Sequence, residues 1–222
     1  MNIIKRLIAI APAAFQEELK RFHFRRQIKN GTFVTWEPEF DELNKFIGEG
    51  DWVIDIGANI GHYTNKLSDL VGSKGRVIAF EPIPTTFTHL SENTQYCKYR
   101  NITLINAAAS EGTASVNMTI PDFSSGLKNY YQASISSVAD KSDTTVLTFS
   151  IDSFQFSHKI SLIKIDAEGH EPEVLRGAQN LLERDRPLLI VETVTDEIRE
   201  QLLALGYREE KYNGSPNIVF RI

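Results

Sequence analysis

Short apolar runs alternate along this chain with segments whose apolar residues recur at helical spacing. Trp52–Ile56, Arg76–Phe80, Ile102–Ile105, Leu162–Ile165 and Leu188–Val191 are the runs. Their length and composition predict strands buried on both faces of a parallel sheet. Between them fall helical patterns: Tyr63, Leu67, Leu70 and Val71; Phe87 and Leu90 within 84–94; Val174, Ala178, Leu181 and Leu182; and a last helix over Glu197–Leu205. Repeated strand–helix units predict an α/β, doubly wound sheet, and Tyr207–Tyr212 with Ile218–Arg221 predict an antiparallel pair that reverses its edge.

Other segments read differently. Thr32–Trp36 predicts a short edge strand, and Pro38–Ile47 a helix with Phe40, Leu43 and Ile47 on one side. Ala114–Ile120 alternates like a half-exposed strand, and Val146–Phe149 resumes that character. Pro121–Asp143 between them is polar and lacks periodicity, which points to a lid or binding loop. Its Phe123, Tyr130 and Tyr131, with Ser124, Ser125, Ser134, Ser136 and Ser137, suit either a sugar-like ligand or an ordinary surface loop. Met1–Ala14 faintly resembles a secretory signal, but its apolar core before Pro12 is too short, so a small packing helix is expected. Glu17–Lys29 is basic and partly aromatic, as a solvated face would be. The chain thus divides into an N-terminal helical and strand appendage, a possible lid, over 1–48 and one domain over 49–222.

Composition narrows the function. With 222 residues, 41% hydrophobic and 24% charged, the chain is an ordinary soluble globular protein with length enough for a core. A net charge of −5, spread along the chain, offers no basic footprint for nucleic acid. No apolar run approaches the length that spans a bilayer. The single cysteine, Cys97, excludes an internal disulfide and suits a reducing, cytoplasmic setting.

The candidate chemistry begins at Asp51–Gly61, DWVIDIGANIG. A buried strand, a turn bracketed by Gly57 and Gly61, and a helix place backbone N–H groups beyond the carboxyl end of a parallel strand, where α/β sheets bind ligands. The spacing lacks the middle glycine of a dinucleotide fingerprint. Asp55 at the strand tip would repel a pyrophosphate but suits an ammonium and a sulfonium, hence S-adenosylmethionine. Glu81 lies twenty residues past Gly61, at the tip of the next strand, where tips are ~5 Å apart and a carboxylate can accept from both ribose hydroxyls. The plain alternative for Glu81 is an acid at the start of the following helix.

A second acidic cluster follows the fourth strand: Asp166, Glu168, His170 and Glu171 in six residues. Methyl transfer to oxygen needs alignment and removal of the acceptor proton. Asp166, Glu168 and His170 are the candidate bases, since crowded acids raise one another's pKa. Glu171 and Glu173, around Pro172 in a first helical turn, are assigned a structural role. Asp166 and Glu192 end adjacent strands and would suit Mg²⁺ with water, a role other carboxylate pairs also fill without metal.

Taken together, DIGANIG, FEPIP, NAAAS, SISS, LIKIDAEGHEPEVLRGA and LLIVE resemble the FkbM family of S-adenosylmethionine-dependent methyltransferases, over roughly Gly50 to Glu192. The resemblance implies the Rossmann-like class I methyltransferase fold, with a mostly parallel seven-stranded sheet and a C-terminal antiparallel hairpin. It also implies O-methylation of hydroxyls on sugars, glycans, polyketide-type natural products or related small molecules. It places Asp55, Gly57, Asn59 and Gly61 around the methionine portion of the cofactor and Glu81 on the ribose. Asn106, Ala107 and Ala108 fall near the adenine, and Asp166, Glu168 and His170 toward the acceptor. Ala167 stands where the family commonly has valine. Two other functions share part of the pattern: a nicotinamide-dependent oxidoreductase, and a non-catalytic module that binds S-adenosylmethionine.

Overall fold

The computed structural model describes residues 13–121, 133–135 and 143–222. Its main sheet has seven strands in the order β3-β2-β1-β8-β9-β11-β10. In chain order these are β1 Trp52–Ile56, β2 Arg76–Phe80, β3 Ile102–Ile105, β8 Ile160–Ile165, β9 Leu188–Val191, β10 Arg208–Lys211 and β11 Ile218–Arg221. The first five pair in parallel, and β11 and β10 are antiparallel, so the doubly wound sheet with a reversed edge is present. A smaller sheet, β4-β7-β5-β6, is built from Ala108–Ala109, Thr144–Phe149, Ala114–Thr119 and Ser134–Ile135. The helices are α1 Ala13–Lys29, α2 Pro38–Glu42, α3 His62–Val71, α4 Pro84–Thr94, α5 Glu171–Arg176, α6 Gln179–Asp185 and α7 Asp196–Ala204.

The pleat sorts the central strands into two cores, because successive side chains point to opposite faces. Ile54, Ile56, Ile78, Phe80, Ile163 and Ile165 face Val174, Leu175, Leu181 and Leu202 of α5, α6 and α7. Val53, Val77 and Leu162 face Phe40, Tyr63, Leu67 and Val71 of α2 and α3. Asp55 and Lys164, partners in register, fall on this second face, so the same parity that buries the valines buries a carboxylate beside an ammonium.

Three local expectations change. Residues 32–35 form no strand; Phe33 instead buries its ring against His62, centroids 4.2 Å apart. The helix at Pro38 ends at Glu42 and continues as a 3₁₀ turn, Leu43–Lys45, that still delivers Leu43 and Ile47 to the core. The helix after the acidic cluster is two helices. Gly177 divides them, and a Cβ there would stand 2.0 Å from the Ser110 carbonyl oxygen, so the backbone just after β4 presses on the break. Asp152 then supplies the missing partners of the new N-terminus, accepting from the Asn180 and Leu181 N–H groups at 2.9 Å each.

The N-terminal segment is joined to the sheet. Glu17 and Arg21 of α1 pair with His89 and Glu92 of α4 at 2.7 and 2.9 Å. Buried Glu39 accepts from the Tyr63 hydroxyl at 3.2 Å and from the Asn217 side-chain amide, tying α2 to α3 and to the β10–β11 turn. Met1–Pro12 and most of the polar stretch Pro121–Asp143, including Phe123, Tyr130 and Tyr131, lie outside the described residues.

Gly57 is where the two central tips approach most closely. Its φ is +74°, and a Cβ would lie 1.8 Å from the Asp166 carbonyl oxygen. Gly57→Ala is therefore expected to cost on the order of 2–5 kcal/mol, combining a left-handed alanine with a backbone clash. Gly112→Ala, with no atom within 4 Å, is the control and should change stability by less than ~0.5 kcal/mol. Urea denaturation of both variants measures the difference.

Candidate active site

Two adjoining hollows open at the carboxyl ends of β1, β2, β8 and β9. The first, about 280 Å³, runs from Glu81, Ile83, Ala107 and Ala108 to Glu168, His170, Glu192 and Pro216. The second, about 560 Å³, lies on the α3 side and is walled by Asp55, His62, Tyr63 and Lys164. Trp36, Glu37, Gly57, Asn59 and Asp166 line both.

Glu81 organises the first hollow. Its carboxylate accepts the Asn59 and Ile83 N–H groups, each at 2.9 Å, so it clamps the glycine turn to the start of α4. A carboxylate has about four lone-pair positions. Two remain for a ligand's hydroxyls. Asn59 holds its left-handed backbone, φ 51°, as asparagine tolerates. Burial pushes the Glu81 carboxyl up to about 7, against those two N–H bonds and with Asp166 and Asp55 adding to the rise.

The second hollow is an electrostatic ladder. Lys164, 4% exposed in the middle of an apolar strand, donates to Asp166 at 2.6 Å and lies over the Tyr63 ring at 5.0 Å. Burial opposes its charge, but Asp166 and Asp55 hold its pKa above the ordinary lysine value. Asp55 accepts the Thr64 hydroxyl at 2.5 Å through one oxygen, and its other oxygen is buried with no partner among the described residues. Burial raises the Asp55 pKa although Lys164 and Thr64 act the other way. His62 is held neutral, its pKa lowered to about 4 by burial and then by Lys164.

The far end of the first hollow gathers the acids. Burial works against the Asp166 charge, but Lys164 and Glu192 together keep this carboxylate below its usual range. Asp166 beside it, together with burial, raises the Glu192 carboxyl to about 8. Glu168 is exposed, in a left-handed backbone with φ 51°, and is raised to about 7 by burial, Asp166 and Glu171. One oxygen from each of Asp166, Glu168 and Glu192 lies within 4.8 Å of the others. Such hard oxygens fit Mg²⁺.

His170 is engaged on both ring nitrogens: Nε2 lies 2.9 Å from the Ser110 hydroxyl and Nδ1 3.3 Å from Glu173. Burial lowers its pKa. With Nδ1–H toward the carboxylate, Nε2 accepts from Ser110, and the lone pair a base needs is already in use.

Of the residues expected from sequence, Gly57, Asn59, Glu81, Ala107, Ala108, Asp166, Glu168 and His170 line the first hollow, and Asp55 lines the second. Gly61 and Asn106 line neither. Gly61 caps α3 in a left-handed conformation, and the Asn106 amide donates to the Glu81 and Pro82 carbonyls, bracing the β2 tip. Glu171 is structural, fully buried and accepting the Ala167 N–H at 3.0 Å. Sequence reasoning missed Trp36, Glu37, Lys164 and Ser110. Only Lys164 left a signal, a lone charge inside an apolar run.

Residues 55–209 match the family model described as the methyltransferase FkbM domain. The chain is also similar to the hexuronic acid methyltransferase AglP of Haloferax volcanii, 32% identical over 139 residues, which is 61% of this chain and 53% of that protein. It thus spans about half the length of this curated relative. The fold is shared with the methyltransferase FkbM of Methylobacillus flagellatus at 18% identity and a TM-score of 0.56, covering 78% of this chain and 44% of that one. A Thermotoga maritima S-adenosylmethionine-dependent O-methyltransferase, 15% identical with a TM-score of 0.50, covers 89% of this chain and 69% of its own.

The Glu81 environment has a measurable consequence. Its folded pKa, about 7, exceeds the ordinary 4.5, so between these values the folded chain holds the extra proton. The ligand-free protein is therefore stabilised at low pH and loses that contribution as pH rises through about 7. On the order of 1–3 kcal/mol is at stake, a Tm several degrees lower at pH 8 than at pH 5.5. Scanning calorimetry of the wild type and Glu81→Gln should show the slope flatten in the variant.

Proposed function

Because the chain belongs to the methyltransferase FkbM family, we propose that it transfers a methyl group from S-adenosylmethionine to a hydroxyl of a sugar or glycan. The observation that carries this is the first hollow, which joins a clamp suited to a ribose at one end to a cluster of proton-accepting acids at the other. An oxidoreductase is disfavoured by the family match and by Asp55, which stands where a pyrophosphate would approach.

The residues fit the cofactor. Asp55 lines the second hollow, and one of its buried oxygens has no hydrogen-bond partner among the described residues, which suits a donor such as an ammonium. Glu81 has lone pairs free for ribose hydroxyls, while Ile83, Ala107 and Ala108 offer an apolar slot for a flat base. When bound, the cofactor supplies a methyl group on a sulfonium, whose positive charge suits walls rich in carboxylates.

The chain's own work is to orient the acceptor and take its proton. Glu168 is the base on this reading. It is exposed, it sits in a sparsely populated backbone conformation of the kind that clusters at functional sites, and its pKa lies near neutrality. Asp166, paired with the Lys164 ammonium, keeps Glu168 basic through repulsion. Ser110 and Glu173 fix His170 as a neutral wall. The H. volcanii relative's substrate class supports a glycan acceptor.

Calorimetry should show S-adenosylmethionine and S-adenosylhomocysteine binding and NAD failing to bind; NAD binding alone would overturn the reading. With labelled donor and a glycan panel, kcat/KM should climb as pH rises through about 7, where Glu168 loses its proton. Glu168→Gln should bind the cofactor normally yet lose roughly 10²–10⁴-fold in turnover, with the pH step gone. Full activity in that variant removes Glu168 as the base. EDTA tests the alternative role of the three carboxylates: turnover lost with EDTA and restored by Mg²⁺ would make them a cation site.

A further inference from the structure

Residues 34–37 line the second hollow, Trp36 and Glu37 line the first as well, and the segment is held at both ends. On one side the buried Phe33 ring packs on His62; on the other, Glu39 is fastened to Tyr63 and Asn217. The span between them does not tuck its apolar residues away. Trp36 is 71% exposed and Val34 54%, although indole is the largest apolar group a chain can bury. Pro216 lines the first hollow beside Trp36, and the Glu39–Asn217 tie brings their two segments together. The hollow therefore has an apolar rim at Trp36 and Pro216 and acids, Glu168 and Glu192, along another wall.

Charge narrows the occupant. Glu37, Glu81, Asp166, Glu168 and Glu192 line the first hollow, and among the described residues no lysine or arginine does. The acids already repel one another: Asp166 contributes to the upward shift of Glu81, Glu168 and Glu192 alike. A further carboxylate on the acceptor meets the same repulsion. A neutral sugar ring does not, and it carries one C–H face and a hydroxyl edge, which match the rim and the acids respectively.

Resting on the sugar O-methylation proposed above, we infer that the acceptor is a neutral pyranose, with its C–H face stacked on the Trp36 indole and its hydroxyl edge turned to Glu168 and Glu192. Trp36 is then a specificity-determining residue. It positions the ring and takes no part in proton transfer.

The test compares methyl gluco-, galacto- and mannopyranosides with their matched uronates, using labelled S-adenosylmethionine at pH 7.5. The best neutral glycoside should exceed its uronate by about tenfold or more in kcat/KM, and Trp36→Ala should raise its KM about tenfold with kcat within about twofold. Trp36→Phe should recover most of that loss, and the cofactor Kd should be the same in all three proteins. The chain has two tryptophans, and Trp52 stacks on His158, so Trp36 emission in a Trp52→Phe background reports ring binding directly. A saturable change with the neutral glycoside is expected. Preference for the uronate, or an unchanged KM in Trp36→Ala, overturns this inference and leaves sugar methylation standing. Methylation of no pyranoside by a protein that binds S-adenosylmethionine overturns both.

Discussion

A buried lysine sets the terms for everything at the mouth of this sheet. Lys164 is almost fully enclosed, and a charge so placed is tolerable only when paired. Asp166 provides the pair two residues on, and Asp55 lies beside it on β1 through the parallel register. Asp166 is thereby held below the usual carboxylate range. Burial lifts Glu81 and Glu168 toward neutrality and the negative charge of Asp166 adds to the rise, while at Glu192 Asp166 leads and burial adds. The ion pair thus acts on protonation along the whole cavity, beyond any contribution to stability.

The second organising feature is the way separate segments meet at one rim. The glycine turn, the β2 tip and β4 form one end, through Glu81 and the Asn106 amide. The pre-strand segment and the β10–β11 turn form the other, through Glu39 and Asn217. Residues nearly 180 positions apart are joined by one hydrogen bond between buried groups, and Trp36 is presented as a result. The small sheet adds Met118, Ala133 and Ile135 as an apolar wall over the same cavity.

Much of the fold was legible because a doubly wound sheet leaves a repeating mark. Strands buried on both faces appear as apolar runs, and helices against them as 3.6-residue patterns, so β1, β2, β3, β9 and the closing hairpin were readable with little error. The misreadings arose where a distant contact overrode local pattern. Helical spacing runs unbroken through Val174 and Leu182, but the Ser110 carbonyl leaves no room at Gly177 for a side chain. Thr32–Trp36 has the composition of a strand but no neighbouring edge to pair with, and Phe33 anchors it through His62 instead.

The candidate site divides in the same way. Sequence by itself determined which groups stand at strand tips, because a tip is a local feature: a run ends, and the next polar residue is at the carboxyl edge. Asp55, Glu81, Asp166 and Glu168 were identifiable on that ground. What only the tertiary structure decided was which way each faces and what it touches. Pleat parity sends Asp55 to the α3 side with Lys164, away from Glu81. Ser110, sixty residues earlier in the chain, engages His170, and Trp36 and Glu37 line both hollows. These depend on distances between segments remote in sequence, and periodicity carries no information about such distances.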